Sequence, residues 1–133
     1  MDTNPSSPAK RRVLIVDAKA DEAESLAMLL GTLGHDVRTA RDGAAALEQA
    51  RRFNPQVVFT DHDQTKRDGY TLARRLRQLP GLEGVVVIAV MGYGGELEDL
   101  LRARQAGYEL LAMPFDPSQL LRSLDATAGP SAG

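Results

Sequence analysis

Hydrophobic residues in this chain form two alternating patterns, short apolar runs and longer segments in which apolar residues share one helical face. The run from Val13 to Val16 contains only β-branched residues and leucine, which is typical of a strand buried on both faces. The segment that includes Leu26 has leucines at the i, i+3, i+4 and i+7 spacing of an amphipathic helix. These patterns predict strands at 13–16, 35–40, 57–60, 85–90 and 108–113, and helices at 21–33, 43–53, 72–79, 97–106 and 117–124.

The alternation of strands and helices predicts an α/β fold built from five βα units. Short crossovers through helices make the strands parallel and the connections right-handed. The runs that begin at Val13, Val57 and Val85 are the most apolar and should be central, whereas the strand at 35–40 alternates and suits an edge. The prediction is a doubly wound, flavodoxin-like (βα)₅ fold with a parallel five-stranded sheet in the order 2-1-3-4-5.

Composition and charge narrow the classes of function. The 133 residues suffice for one domain, which we expect at residues 11–125 between disordered segments at 1–10 and 126–133. A net charge of -2 argues against a nucleic-acid binder, and no apolar run is long enough to cross a membrane. The absence of cysteine excludes disulfide scaffolds and thiolate metal sites, and with no signal-peptide pattern it predicts a cytoplasmic protein.

Two carboxylates mark the place where chemistry is expected. Asp17 ends the first predicted strand and Asp61 ends the third, and in the predicted strand order both lie at the switch point of the sheet. Neighbouring carboxylates repel unless a cation joins them, and oxygen ligands of this kind suit Mg²⁺. A carboxylate can also attack phosphorus and form an aspartyl phosphate. Asp61 is therefore the candidate acceptor and Asp17 the candidate metal anchor.

The order and spacing of the motifs resemble the receiver domain of response regulators in two-component signalling. The resemblance covers Arg12 to Leu124 and rests on the segments VLIVD, GHDVRTARDGAAALE, VVFTD, RDGYTLARRLR, VVIAVMGYG and AMPFDPSQLL. In this family a histidine kinase transfers a phosphoryl group to the aspartate that Asp61 matches. The resemblance thus implies Asp61 as the phosphoacceptor, with Mg²⁺ held by Asp17, Asp61 and the backbone carbonyl of Asp63.

This chain departs from the family pattern at most of the other functional positions. Ala18 stands where a second metal-binding acid is usual, and Met91 where a hydroxyl residue normally contacts the phosphoryl group. Leu110 replaces the aromatic switch residue, Met113 replaces the lysine that pairs with the phosphoryl group, and Thr65 replaces a loop proline. These losses predict low Mg²⁺ occupancy and a degraded switch, because a charge-assisted contact is worth about 1.5 to 3 kcal/mol.

Three functions remain open on the sequence. The first is an atypical receiver with Asp61 as an acceptor of reduced efficiency, in which Lys19 is a candidate replacement for the lost charge. The second is a pseudo-receiver, a binding module that acts without phosphorylation. The third, a flavin- or nucleotide-binding enzyme of flavodoxin-like fold, is disfavoured because no glycine-rich loop follows the first strand; we predict that the chain is not an enzyme.

The expected partners follow from the resemblance. They are a sensor histidine kinase or another signalling protein, and a second copy of the chain through the predicted fourth helix, fifth strand and fifth helix. Neither nucleic acid nor a membrane is expected. The run of arginines at Arg74, Arg75 and Arg77 reads as a basic stripe on a solvated helix face, and Lys66 and Arg67 as solvated residues of a loop.

Overall fold

The computed structural model describes residues 10–92, 96–112 and 122. Five parallel strands form one sheet in the order β2-β1-β3-β4-β5, which confirms the predicted fold class and strand order. The apolar runs form β1, β3 and β4 in the centre, and the alternating strand β2 lies at an edge. The strands are β1 (Arg12–Val16), β2 (Asp36–Ala40), β3 (Val57–Asp61), β4 (Val86–Met91) and β5 (Tyr108–Ala112).

Five helices lie in the described part of the chain, and one of them was not predicted. They are α1 (Ala20–Thr32), α2 (Gly43–Phe53), α3 (His62–Arg67), α4 (Leu72–Arg77) and α5 (Leu97–Gln105). The predicted third and fourth helices correspond to α4 and α5. The predicted last helix, at 117–124, lies outside the described residues except for Arg122, which is helical.

The prediction of a loop after Asp61 was wrong for residues 62–67, which form α3. No glycine or proline interrupts these six residues, and Asp61 supplies a cap at the amino end. Lys66 and Arg67 lie in the last turn, where positive charge stabilises the helix dipole. The first glycine after the helix is Gly69, which has a left-handed conformation with φ of 74°. The glycine therefore follows the end of α3 at Arg67 and does not prevent the helix from forming.

The helices cover the sheet in two layers. The side chains beneath α1 form an apolar cluster that includes Val13, Ile15 and Leu30, all of them nearly inaccessible to solvent. On the opposite face, Ala46 of α2, Leu76 of α4 and further residues of α4 and α5 pack against alternate residues of the same central strands. Alternation along the strands thus divides one run of apolar residues between two cores.

The predicted basic stripe on α4 is wrong for Arg77. Its guanidinium donates hydrogen bonds to the carbonyl oxygens of Val85 at 3.0 Å and Gly107 at 2.8 Å. Gly107 has a φ of 92°, and a Cβ atom there would collide with the same guanidinium. Arg77 therefore joins the end of α4 to the starts of β4 and β5, and only Arg74 and Arg75 remain exposed to solvent. Among the helices of the described ranges, none has the length and hydropathy required to span a bilayer.

Candidate functional site

Asp17 and Asp61 lie side by side at the carboxyl ends of adjacent strands, which confirms that the fold brings them together. β1 and β3 are in register with Val16 opposite Thr60, so the next residue of each chain is one of these acids. The backbone N–H of Asp17 donates to the carbonyl of Ala40 at 2.9 Å, which fixes this end of β1 against β2. Both carboxylates are partly exposed and therefore accessible to a ligand.

The environment of Asp17 raises its pKa above the usual value. Partial burial is the largest cause, and the hydrogen bond from the backbone N–H of Lys19, at 2.9 Å to Oδ1, acts in the opposite direction. The charges of Glu22 and Asp61 raise the pKa of Asp17 further. The neighbouring acids and the partial burial thus disfavour full ionisation of the Asp17 carboxyl group.

Glu22 is a site residue that the sequence did not reveal. It lies in the first turn of α1, five positions after Asp17, where an acid is ordinarily read as a complement to the helix dipole. Its carboxylate is also 3.7 Å from Nζ of Lys19. Lys19, predicted to compensate beside Asp61, therefore lies against Glu22 here and is largely exposed. Its proposed role toward Asp61 remains a prediction.

The carboxylate of Asp61 caps the helix that follows it. Oδ1 accepts a hydrogen bond from the backbone N–H of Asp63 at 3.4 Å, a long contact for such a bond. Asp63 itself is the second residue of α3. Its assignment as a metal ligand has no test in this geometry and remains a prediction.

Three of the positions at which the chain departs from the family pattern carry apolar side chains in the structure: Ala18, Met91 and Leu110. Ala18 is exposed beside Asp17 and offers no ligand atom. Met91 ends β4 and is buried, and Leu110 is partly buried and packs against the core beneath α4 and α5. Met113 lies outside the described residues. Neither Met91 nor Leu110 can donate a hydrogen bond toward Asp61.

These residues fit a divalent metal poorly. In the ranges 10–92 and 96–112, no group of three or more histidine, aspartate or glutamate side chains is arranged to hold a metal ion. The Asp17 carboxylate accepts a hydrogen bond from the N–H of Lys19, and the Asp61 carboxylate accepts one from the N–H of Asp63. Mg²⁺ requires near-octahedral oxygen coordination, and Asp17 and Asp61 could supply two protein ligands of such a set.

Buried hydroxyl groups lie on the residue before Asp61 and on the elements that follow, and they were hard to predict from the sequence. Oγ1 of Thr60 is 3.2 Å from Oγ1 of Thr65, and the hydroxyl of Tyr108 accepts a hydrogen bond from the N–H of Ala73 at 3.0 Å. Burial raises the pKa of Tyr108, while the hydrogen bond from the Ala73 N–H and the Thr65 side chain act to lower it. The threonine in the apolar run VVFT was the only available signal.

A second buried pair joins α3 to the turn that precedes α4. The hydroxyl of Tyr70 lies 3.2 Å from Nε2 of His62, and both side chains are buried. Tyr70 has a φ of 60°, a conformation that is rare for a residue with a bulky side chain. The strain is tolerated because the ring is held between His62 and Tyr108, with centroid distances of 5.8 and 6.2 Å.

An ion pair connects α3 to α5 at the surface. Nζ of Lys66 is 2.8 Å from Oδ2 of Asp99, and this contact lowers the pKa of Asp99 and raises that of Lys66. Lys66 is exposed, as predicted, but it lies in α3 rather than in a loop and pairs with Asp99. Thr60, Thr65, Lys66 and Tyr70 together make α3 the element that connects the Asp61 end of β3 to the rest of this face.

Comparison with known proteins decides the family. The sequence model of the response regulator receiver domain matches residues 13–125. The chain belongs to this family of receiver domains. Receiver domains are signalling modules rather than enzymes in the ordinary case, and they act by contact with histidine kinases and other signalling proteins.

Individual relatives agree with the assignment. The chain is 30% identical to the protein PilH of Pseudomonas aeruginosa over 86% of this chain and 95% of PilH. It is 32% identical to the transcriptional regulatory protein PrrA of Mycobacterium leprae over 95% of this chain, but it spans only 52% of PrrA. A receiver domain of a sensor histidine kinase from Pseudomonas aeruginosa, solved with magnesium in its active site cleft, is 27% identical, with a TM-score of 0.76 and coverage of 91% and 99% of the two chains.

Proposed function

We propose that this receiver domain is a pseudo-receiver, a binding module of two-component signalling whose surface is recognised without phosphorylation of Asp61. One observation carries the proposal: the carboxylate at the acceptor position caps α3 through the N–H of Asp63, while no third acid completes a metal site in the described residues. A receiver that works by phosphorylation needs a cation to offset the repulsion between its carboxylates and the incoming phosphoryl group.

The apolar residues around Asp61 support the same proposal. Phosphorylation can shift a conformational equilibrium only if the phosphoryl group contacts the two conformations differently. Met91 is buried at the end of β4 and Leu110 is partly buried in β5, so neither offers a polar group that could distinguish a phosphorylated from an unphosphorylated Asp61. Met113, at the position of the usual lysine, supplies no positive charge.

An acceptor of reduced efficiency is the second candidate, and a specific observation favours it. Asp61 lies beside Asp17 at the open end of the sheet and is partly exposed, so a small phosphodonor has access to it. Asp17 and Asp61 would hold Mg²⁺ weakly. The bound ion would offset the negative charge of the carboxylates and of the incoming phosphoryl group. In this second candidate, Lys19 would replace the lost positive charge and the backbone carbonyl of Asp63 would be a further ligand of Mg²⁺.

Incubation with acetyl phosphate and Mg²⁺, followed by intact-protein mass spectrometry, separates the two. The pseudo-receiver proposal predicts no phosphate adduct on the wild-type protein. A phosphate adduct on the wild-type protein that disappears in Asp61→Asn would contradict the pseudo-receiver and support the acceptor of reduced efficiency. Asp63→Asn serves as the matched control, because it removes a neighbouring carboxylate of α3 and leaves the acceptor position intact.

Partner binding is proposed for the surface formed by α5, β5 and the predicted last helix. Leu97 and Leu101 lie one turn apart on α5 and are 70% and 51% exposed, which leaves apolar area available for a signalling protein or for a second copy. We propose a cytoplasmic role and no contact with nucleic acid or membrane. Size-exclusion chromatography with light scattering on the wild-type protein and Leu97→Glu tests the dimer: loss of a dimer in the variant supports this surface, and a monomeric wild type removes the homodimer from the proposal.

A further inference from the structure

An open cavity lies between the end of α3, the turn that follows it and the last turns of α5. Its volume is about 490 Å³, which is within the range of cavities that hold small ligands. The residues that line it come from these three segments: Lys66, Gly69, Tyr70, Arg102, Gln105 and Ala106. Neither Asp17 nor Asp61 is among them, so the cavity is separate from the acidic end of the sheet.

The turn after α3 forms one wall of the cavity. Gly69 and Tyr70 both have left-handed conformations, with φ of 74° and 60°. The Tyr70 side chain is buried, and Gly69 adds no side chain to the wall; a Cβ atom built there would meet nothing within 4 Å beyond its chain neighbours. The N–H groups of Gly69 and Tyr70 already donate to the carbonyls of Lys66 and Thr65, at 3.1 and 2.9 Å. Any charged ligand would therefore be recognised by side chains.

Two cationic side chains line the cavity, Lys66 from α3 and Arg102 from α5. Nζ of Lys66 already holds one anion, Oδ2 of Asp99 at 2.8 Å, and its ammonium group has further donors. The side chain of Arg102 is exposed and forms no hydrogen bond or ion pair with another residue in the part of the chain that the structure describes. Guanidinium and ammonium groups bind phosphate oxygens through charge-assisted hydrogen bonds.

We propose that this cavity binds the phosphate group of a small molecule between Lys66 and Arg102, with the amide of Gln105 as a further donor. The cavity is larger than a phosphate group, and the wall at Gly69 and Ala106 leaves room for an organic body. Asp99 limits the affinity, because its carboxylate competes for Lys66. This site goes beyond the proposed function, since it requires neither a metal nor a phosphoryl group at Asp61.

Titration of the backbone amide spectrum tests the site. Phenyl phosphate and inorganic phosphate are the probes, at constant ionic strength and with a chelator to exclude divalent metals. We expect saturable shifts of the amide signals of Gly69 and Gln105, with tighter binding of phenyl phosphate because its ring fills the rest of the cavity. The absence of saturable shifts at these amides, or equal binding of the two probes, would overturn the proposal.

Variants of exposed residues make the result specific. Arg102→Gln should weaken the binding of phenyl phosphate by about two- to fivefold, the contribution expected of one exposed charged contact. Arg104→Gln is the matched control, because it removes the same charge from the same turn of α5 at a residue that does not line the cavity. Asp99→Asn releases Lys66 and should tighten the binding. Equal weakening in both arginine variants, or no tightening in Asp99→Asn, would contradict the proposal.

A phosphate group can also reach this cavity on a side chain of a partner protein. A tripeptide with a central phosphoserine, blocked at both ends, represents that source. Weaker binding of the peptide than of phenyl phosphate supports the small molecule, and tighter binding would overturn this assignment. These outcomes are independent of phosphate labelling, so a phosphorylated Asp61 would refute the pseudo-receiver and leave the cavity site intact.

Discussion

On the face of the sheet covered by α1, the core is a cluster of aliphatic side chains with Phe59, whereas the face covered by α2, α4 and α5 also encloses Tyr70, Tyr108 and two buried threonines. An apolar core can repack gradually, since it makes no directional contacts. A hydrogen-bonded core specifies one arrangement and is costly when it is half satisfied. The face that carries α3 is therefore the one whose arrangement is more narrowly specified.

The largest effect is expected from a cavity on the apolar face. Leu30→Ala should lower the free energy of unfolding by about 2 to 5 kcal/mol, because Leu30 is fully buried beneath α1 and its removal leaves a void. Urea denaturation measures this loss. Met28→Ala on the same helix is the matched control, since Met28 is 74% exposed and its truncation should change the stability by less than about 0.5 kcal/mol.

A smaller loss is expected when one hydroxyl of the polar face is removed. Tyr108→Phe should lower the free energy of unfolding by about 1 to 3 kcal/mol, because it leaves the N–H of Ala73 without its buried partner. The same urea titration measures it, with Thr32→Val as a control for an exposed hydroxyl. A loss as large as that of Leu30→Ala would show that the Tyr108 ring repacks, and no loss would show that water satisfies the freed group.

The buried side chain of His35 lies outside both apolar clusters and should make the stability of the protein depend on pH. Its Nδ1 accepts the N–H of Arg11 at 3.0 Å, and burial followed by the charge of Arg11 lowers its pKa below the ordinary 6.5. The folded protein therefore binds fewer protons than the unfolded chain below pH 6.5, so its stability is complete above that pH and declines as the pH falls. Urea midpoints between about pH 5.5 and 7.5 measure the decline. His35→Asn keeps an acceptor and should flatten it; an unchanged pH dependence in that variant would assign the effect to another group.

The smallest effect is expected from the surface pair of Lys66 and Asp99. Lys66→Met should weaken the protein only slightly, and the difference from the wild type should shrink further in high salt, because screening removes the attraction between exposed charges. Thermal unfolding at low and high salt measures it, with Lys19→Met as a control for the exposed pair with Glu22. A large loss that salt does not change would mean that Lys66 acts by packing.

Residues with local signals were predictable, and residues whose roles depend on distant contacts were not. The strand order and the approach of Asp17 to Asp61 follow from where apolar runs end, because parallel strands bring their carboxyl ends together. Glu22 and Arg77 could not be assigned, since an acid in a first helical turn and an arginine in a last turn both have ordinary local explanations. α3 was missed because six polar residues carry no apolar periodicity; their helix depends on the Asp61 cap and on Thr65 packed against Thr60.

We expect this receiver not to respond to a phosphoryl group at Asp61. The most direct measurement is the backbone amide spectrum recorded with Mg²⁺ and beryllofluoride, a mimic of an aspartyl phosphate. A variant that restores the family residues, Ala18→Asp combined with Met91→Thr and Met113→Lys, serves as the positive comparison. We expect the spectrum of the wild-type protein to stay unchanged and that of the triple variant to shift around Asp61. Shifts in the wild-type protein that extend from Asp61 to β5 and α5 would contradict it.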